Sequence, residues 1–265
     1  MTASEDCMGY EFVTVSMEGA SALLSIRNPP VNALHPDVAE ELDDAVGGVL
    51  RTCEARSLVL TGTGRHFVSG GDIRYFQDLD AVTAEAYALR IQAVQRRLQE
   101  LEIPVIAAVN GPALGGGCEL MMACDVRIAE EQATFGLPEV TLGVIPGAAG
   151  TQMLPRLAPL GAAKRLLFSG ERIPAREALR LGLIDEVVGA GGALAAARAL
   201  CERINANAPL AVKAAKRAVN EGLGMSLADG CRLEAALFGA LFRSKDVKEG
   251  VAAFIGKRKP VFQGV

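Results

Sequence analysis

Two glutamates stand among apolar neighbours, where a carboxylate is costly. Glu119 lies in the stretch CELMMAC at the start of a predicted helix, and Glu139 lies in the stretch FGLPEV. Glutamate is rarely buried unless it is paired or functional. Two carboxyl groups that reach one polar spot can hold a water molecule and move protons to and from it. Two simpler interpretations stay open at this point, namely that Glu119 caps its helix and that Glu139 is exposed.

Two glycine clusters, residues 69–73 (SGGDI) and 115–119 (GGGCE), follow predicted strands. A glycine lets a backbone N–H approach a ligand, because no Cβ stands in the way. Where such a run enters a helix, unpaired N–H groups and the positive helix end point at one place. That arrangement suits an oxyanion that forms during a reaction. On spacing alone, tight turns with no ligand are the simpler interpretation.

Other chemistries lack their motifs. The stretch 62–67 (GTGRHF) lacks the third glycine of a dinucleotide-binding fingerprint, and the chain has no P-loop. It has no G-x-S-x-G, and neither His35 nor His66 has an evident serine partner. Two histidines are too few for a multi-histidine metal site, so no metal is expected. The six cysteines form no C-x-x-C pair and are expected to be buried free thiols in a reducing compartment.

Composition indicates a soluble globular protein. Hydrophobic residues make up 50% of the 265 residues and charged residues 22%, with a net charge of −4. That charge argues against a nucleic-acid-binding protein. The N-terminus carries Glu5 and Asp6 and has no apolar run, so no signal peptide is expected. No apolar stretch approaches the roughly 20 residues of a membrane span. We therefore expect a cytoplasmic protein without membrane partners.

The elements that must position these residues alternate between strands and helices. Predicted strands cover residues 11–17, 22–27, 57–62, 104–110, 125–129 and 133–136. The first two form a hairpin. Helices are predicted from residue 38 and over residues 83–100, the latter on the apolar pattern of Leu89, Val94 and Leu98. Alternation of this kind predicts an α/β core.

The pattern changes near residue 190. Ala-rich helical segments follow at residues 193–205, 209–221 and 226–243, and a shorter one at residues 245–255. We therefore divide the chain into a core with the candidate site, residues 1–192, and a C-terminal helical lid or assembly region, residues 193–265.

Residues 104–129 (PVIAAVNGPALGGGCELMMACDVRIA) and 133–157 (ATFGLPEVTLGVIPGAAGTQMLPRL) resemble the core signature of the enoyl-CoA hydratase/isomerase (crotonase) family. The similarity extends to NPPVNAL, HFVSGGDI, SGERIPAREALRLGLIDEVV and KEGVAAFIGKRKPVF, and so covers nearly the whole chain. The resemblance implies a spiral of stacked ββα units with a C-terminal helical trimerisation region. It also implies a homotrimer or homohexamer that binds an acyl-CoA thioester.

The resemblance also implies roles for individual residues. The N–H groups of Gly71 and Gly116 would form an oxyanion hole, and Asp72, Ile73 and Arg74 would line the substrate path together with these glycines. Glu119 would activate the water that attacks C3, and Glu139 would serve the proton added at C2. The implied reaction is the reversible hydration of a trans-2-enoyl-CoA, with no metal or organic cofactor.

Several points stay open. A Δ3-Δ2-enoyl-CoA isomerase, another acyl-CoA enzyme of this family or a catalytically silent acyl-CoA-binding subunit are the alternatives. The sequence also departs from the family pattern. Ala149 replaces a glycine, although alanine disfavours a positive φ, and Met153 replaces an arginine. The basic residues 257–259 either contact CoA phosphates or are solvated, and Met121 and Met122 either line an acyl pocket or, more simply, belong to the core.

Overall fold

The computed structural model describes residues 9–52 and 55–265. Its strands are β1 (Val13–Glu18), β2 (Ser21–Ile26), β3 (Ser57–Gly62), β4 (Val68–Ser69), β5 (Val105–Val109), β6 (Ala113–Leu114), β7 (Val126–Glu130), β8 (Thr134–Gly136), β9 (Ile173–Pro174) and β10 (Glu186–Val188). Its helices are α1 (Pro36–Thr52), α2 (Ile73–Phe76), α3 (Ala81–Glu100), α4 (Gly116–Met122), α5 (Gly150–Leu157), α6 (Leu160–Ser169), α7 (Ala175–Leu181), α8 (Ala193–Asn205), α9 (Pro209–Gly222), α10 (Leu227–Leu241) and α11 (Lys245–Ile255). A short 3₁₀ helix covers Pro138–Leu142.

The strands form two sheets. The larger sheet has the order β1-β2-β3-β5-β7-β10, and the smaller has the order β4-β6-β8-β9. The β1–β2 pair is antiparallel, with Val13 opposite Ile26, which confirms the predicted hairpin. The other pairs of the larger sheet are parallel, and the smaller sheet is parallel except for β8–β9.

From β3 to β8, successive strands alternate between the two sheets. The chain passes from β3 to β4, from β5 to β6 and from β7 to β8, and each pair is followed by helical structure. Stacked units of two strands and a helix wind as a spiral, so the implied crotonase-like fold is confirmed. The turns of the spiral are in register, with Ser69 opposite Leu114, and the two glycine clusters therefore leave the smaller sheet side by side.

The larger sheet is covered on both faces. Every residue of β3 and β5 is buried, as expected for central parallel strands. One face packs into the main core, to which α1 contributes Val38 and Leu42. The other face is covered by α8, whose Ala197 and Cys201 lie in a second core cluster with Val59 and other sheet residues. The site is therefore built on a rigid scaffold.

Some predictions from sequence need correction. Leu89 is 56% exposed, and Ile91 instead joins Val94 and Leu98 on the buried side of α3. The cysteines Cys118, Cys124 and Cys201 are buried and free, but Cys231 on α10 is exposed. Cys7 and Cys53 lie outside the described residues.

The C-terminal helices divide into two groups. The helix α8 packs against β3 and β5, whereas α9 packs chiefly on α10, and neither α9 nor α10 has a buried residue. The division of the chain at residues 192 and 193 stays a prediction. None of the helices in residues 9–52 and 55–265 combines the length and apolarity that a transmembrane span requires.

Candidate active site

The two glycine clusters meet where β4 and β6 end. Gly115 has a φ of +52°, a conformation that glycine adopts without strain, and α4 begins directly after it. A Cβ on Gly115 would lie 3.4 Å from Gly70 Cα, which shows how closely the clusters approach. Among the hydrogen bonds of the described residues, none uses the N–H of Gly71 or Gly116. The glycines thus make a tight turn and also leave two backbone donors unpaired.

Glu119 projects from the first turn of α4 and is only 2% exposed. Its Oε1 accepts hydrogen bonds from the N–H of Ala148 at 2.9 Å and of Gly150 at 2.6 Å. The carboxyl therefore binds the loop before α5 and does not cap its own helix. Burial raises the pKa of Glu119 to about 8, repulsion from Glu139 adds to the rise, and the two N–H donors oppose it.

Glu139 lies in the 3₁₀ helix and is half-buried. A Cβ on Gly115 would overlap its Oε1, so the carboxyl stands against the start of α4. Its Oε2 is buried and has no hydrogen-bond partner among the described residues. Burial raises the pKa of Glu139 above its usual value. The structure thus brings Glu139, Glu119 and the two free N–H groups to one place.

The predicted substrate-path residues follow Gly71. Asp72 caps α2, with its Oδ1 accepting the N–H of Arg74 at 2.9 Å. Ile73 and Arg74 are exposed on the surface of α2. They lie beside the glycine clusters in sequence and space, and their contact with a substrate stays a prediction.

Sequence reasoning missed two features around these residues. Tyr87 on α3 donates its hydroxyl hydrogen to Leu34 O at 2.7 Å, a contact between residues far apart in sequence that no local spacing indicates. His66 Nδ1 lies 2.8 Å from Ser69 Oγ, so the expectation that neither histidine has a serine partner is wrong. His66 and Ser69, the last residue of β4, are three positions apart, and the chain between them brings their side chains to the same side.

The two departures from the family pattern occupy different settings. Ala149 adopts a φ of +72°, in the left-handed region that disfavours a Cβ, and its neighbours supply both N–H donors to Glu119. Met153 is partly buried on the core, and its Sδ accepts a hydrogen bond from Gln99 Nε2 at 3.4 Å.

The structure also shows where the two methionines lie and how one of the basic residues near the C-terminus is paired. Met121 and Met122 are fully buried in the core. Arg258 is paired with Glu249 through both carboxylate oxygens. The described residues hold no group of three or more His, Cys, Asp or Glu side chains placed to bind a metal ion.

The chain is similar to known proteins over nearly its whole length. The sequence profile of the family described as "Enoyl-CoA hydratase/isomerase" matches residues 17–265. The chain is 42% identical to a short-chain-enoyl-CoA hydratase of Clostridium acetobutylicum, over 93% of this chain and 95% of that protein. It is 44% identical to a crotonyl-CoA hydratase of Syntrophomonas wolfei, over 96% of this chain and 99% of that protein.

A solved structure extends the likeness to three dimensions. The crystal structure of an enoyl-CoA hydratase from Bacillus anthracis superposes with a TM-score of 0.93 at 36% identity, over 96% of this chain and all of that one. Profile, sequence and structure cover nearly the same residues, and the chain belongs to the enoyl-CoA hydratase/isomerase family.

Proposed function

We propose that this protein catalyses the reversible hydration of trans-2-enoyl-CoA thioesters to 3-hydroxyacyl-CoA. The observation that carries the proposal is the convergence of Glu119 and Glu139 beside the unpaired N–H groups of Gly71 and Gly116. The names of the relatives from Clostridium acetobutylicum and Syntrophomonas wolfei support the same reaction. They also favour a short acyl chain as the substrate.

In the proposed reaction, the N–H groups of Gly71 and Gly116 donate to the thioester oxygen. Each such donor contributes about 2.7–4 kcal/mol of transition-state stabilisation. The water oxygen bonds to C3 while the C2–C3 π pair moves toward the thioester as an enolate. Glu119 takes the proton that leaves the water, and Glu139 gives a proton to C2, so that one water is added in sum. The thioester itself accepts the electron pair, and the proposal needs no metal or organic cofactor.

The CoA portion is proposed to run past the residues that follow Gly71. Asp72, Ile73 and Arg74 lie on the exposed start of α2, where a long substrate can approach from solvent. The Arg74 guanidinium offers a cation for the phosphates of CoA. The acyl end would then lie toward the two glutamates.

We further propose a cytoplasmic homotrimer or homohexamer. Large apolar side chains are exposed along the last three helices, among them Phe238, Phe242, Phe254 and Ile255. An exposed apolar surface of this kind is typical of a protein interface.

The direct test is to mix the purified protein with crotonyl-CoA and follow the loss of the enoyl-thioester absorbance, with the product identified by mass. We expect 3-hydroxybutyryl-CoA. The isomer 3-butenoyl-CoA is assayed in parallel. Conversion of that isomer to crotonyl-CoA with no hydration would favour an isomerase. Acyl-CoA binding with no turnover of either compound, or of longer and branched enoyl-CoAs, would favour a silent binding subunit.

A further inference from the structure

The short extended segment at Leu34 pairs with Gly71, two residues before the start of α2. Leu34 N–H donates to Gly70 O at 2.9 Å, and Leu34 O accepts the N–H of Asp72 at 3.3 Å. These bonds lie on either side of Gly71, which is thereby held with its own N–H unpaired. The position of that donor depends on where the Leu34 carbonyl lies.

Tyr87 fixes the same carbonyl from the other side. Its hydroxyl donates to Leu34 O at 2.7 Å, and its ring packs against Tyr75 and Phe76, with centroids 5.6 Å away in both cases. The side chain is largely buried, and burial together with the charge of Glu119 raises the pKa of Tyr87. The hydroxyl therefore keeps its hydrogen and remains a donor throughout the physiological pH range.

Tyr87 also explains the glycine at position 71. The φ of Gly71 lies outside the left-handed region, so its backbone conformation does not demand a glycine. The available space does, because a Cβ on Gly71 would lie 2.8 Å from Tyr87 Oη and 3.1 Å from Phe76 Cζ. The hydrogen bond to Leu34 O and the contacts of the ring hold the Tyr87 hydroxyl in place. The hydroxyl therefore cannot make room for a Cβ on Gly71 without breaking its hydrogen bond to Leu34 O.

We propose that Tyr87 is a positioning residue, whose hydroxyl fixes the Leu34 carbonyl and occupies the space of a Gly71 side chain. In this way it aims the Gly71 N–H at the thioester oxygen. The effect on catalysis rests on the proposed function. The close contact between Tyr87 and Gly71 is a property of the fold and does not depend on it. Tyr87 itself takes no part in bond making.

A double-mutant cycle tests the proposal with crotonyl-CoA as substrate. Tyr87→Phe should lower kcat roughly tenfold with KM within about threefold, because a misplaced donor weakens binding of the transition state more than that of the substrate. Gly71→Ala should lower kcat about a hundredfold in the parent protein. In the Tyr87→Phe background the oxygen at 2.8 Å is gone and only the Phe76 ring, at 3.1 Å, still meets the added Cβ, so Gly71→Ala should cost about a further tenfold and no more.

Tyr75→Phe is the matched control, since this ring belongs to the same cluster and its hydroxyl makes no hydrogen bond to another described residue. It should leave kcat within about twofold of the parent. Equal losses from Gly71→Ala in both backgrounds, or a Tyr87→Phe variant as active as the parent, would overturn the proposal.

Melting temperatures separate this inference from the proposed reaction. If the parent protein turned over no enoyl-CoA, the hydration proposal would fail. The parent, the two single variants and the double variant could still be compared by their melting temperatures. Gly71→Ala should then lower the melting temperature clearly more in the parent than in Tyr87→Phe, where only the Phe76 ring still meets the added Cβ. Equal lowering in both backgrounds would show that the two residues are not a matched pair.

Discussion

At the scale of single residues, the chemistry depends on how two carboxyl groups share protons. Glu119 is buried and lies near the charge of Glu139. The pKa values of Glu119 and of Glu139 both lie above the usual value for glutamate. The pair therefore retains a proton near neutral pH. Hydration as proposed needs Glu139 to give a proton and Glu119 to accept one, so the active form is the singly protonated pair with its shared proton on Glu139.

This assignment sets the alkaline side of the pH–rate profile. As the pH rises past about 8, the pKa of Glu119, the coupled pair loses the one proton that its two carboxyl groups share, so Glu139 has no proton to give to C2. We expect kcat/KM for crotonyl-CoA to fall by about tenfold per pH unit above that point. Rates measured from pH 6 to 10, with activity recovered on return to pH 7, test this. A flat profile to pH 10 would show that neither carboxyl serves as the acid in this range.

The strained backbone of Ala149 gives a second prediction. Its left-handed conformation costs an alanine about 1–2 kcal/mol, a cost that glycine largely avoids. Ala149→Gly should raise the free energy of unfolding by about 1 kcal/mol and keep turnover, because the flanking N–H donors to Glu119 stay in place. Urea unfolding and the crotonyl-CoA assay measure both effects.

Ala148→Gly is the matched control, because Ala148 is buried and its φ is not positive. It should lower stability, since it removes a buried methyl group and adds freedom to the unfolded chain. If both substitutions lowered stability equally, the turn at Ala149 would not be strained.

Residue types singled out the two glutamates and the two glycine clusters as candidates, the family resemblance gave them their roles, and neither pointed to the residues that support them. Glu119 and Glu139 stood out because carboxylates are rare in apolar runs, whereas Gly71 and Gly116 were named only by the family resemblance, since glycines after strands are typical of tight turns. Tyr87 did not stand out, because its partner Leu34 is 53 positions away and only the fold brings them together. Its position on an amphipathic helix predicts only a packing role.

At the scale of elements, the site depends on how closely α4 approaches the smaller sheet. A Cβ on Gly117 would overlap the carbonyl oxygen of Val68 in β4. The glycine at this position therefore allows the helix to begin against the strand, which brings Gly116 and Glu119 to their places.

Substituting Gly117 should separate α4 from β4. Gly117→Ala should lower the free energy of unfolding by about 3 kcal/mol, since backbone on both sides leaves no room for relaxation. The control is Gly161→Ala in α6, where a Cβ would meet nothing within 4 Å and helix propensity favours alanine by up to about 1 kcal/mol. Thermal unfolding of the two variants tests the comparison, and similar stabilities would contradict the close packing of α4.

The number of residues in a strand or helix explains whether the sequence predicted it correctly. The strand β3 and the helices α3 and α8 have six or more residues, and their patterns of burial were visible in the chain. The strands β4, β6 and β9 have two residues each, too few to display any alternation, and they fall in stretches that the sequence analysis left unassigned. The two-sheet spiral was accessible only through the family resemblance, since a doubly wound sheet has the same local pattern.

At the scale of the whole molecule, the last three helices leave apolar side chains uncovered. Phe238 on α10 and Phe242 directly after it pack edge to face yet remain 64% and 58% exposed, and Phe254 on α11 is 86% exposed. A surface of this kind is stable in water when another chain covers it. This is the physical basis for the proposed assembly.

Light scattering coupled to size exclusion should give three or six times the chain mass of 27.7 kDa. Phe254→Asp should lower the mass, because a buried unpaired carboxylate destabilises an interface. Val82→Asp, on the similarly exposed Val82 of α3, is the control and should leave the mass unchanged. A parent protein that runs as a monomer at micromolar concentration would contradict the proposed assembly.

The most direct test of the account is the turnover of crotonyl-CoA by the Glu139→Gln variant. Glutamine reproduces the shape of the half-buried acid and cannot give its proton to C2, so the fold should persist. We predict that kcat falls by about 10²–10⁴ with KM nearly unchanged and the melting temperature preserved. Turnover within tenfold of the parent protein would remove Glu139 from the reaction and contradict hydration by the paired carboxyl groups.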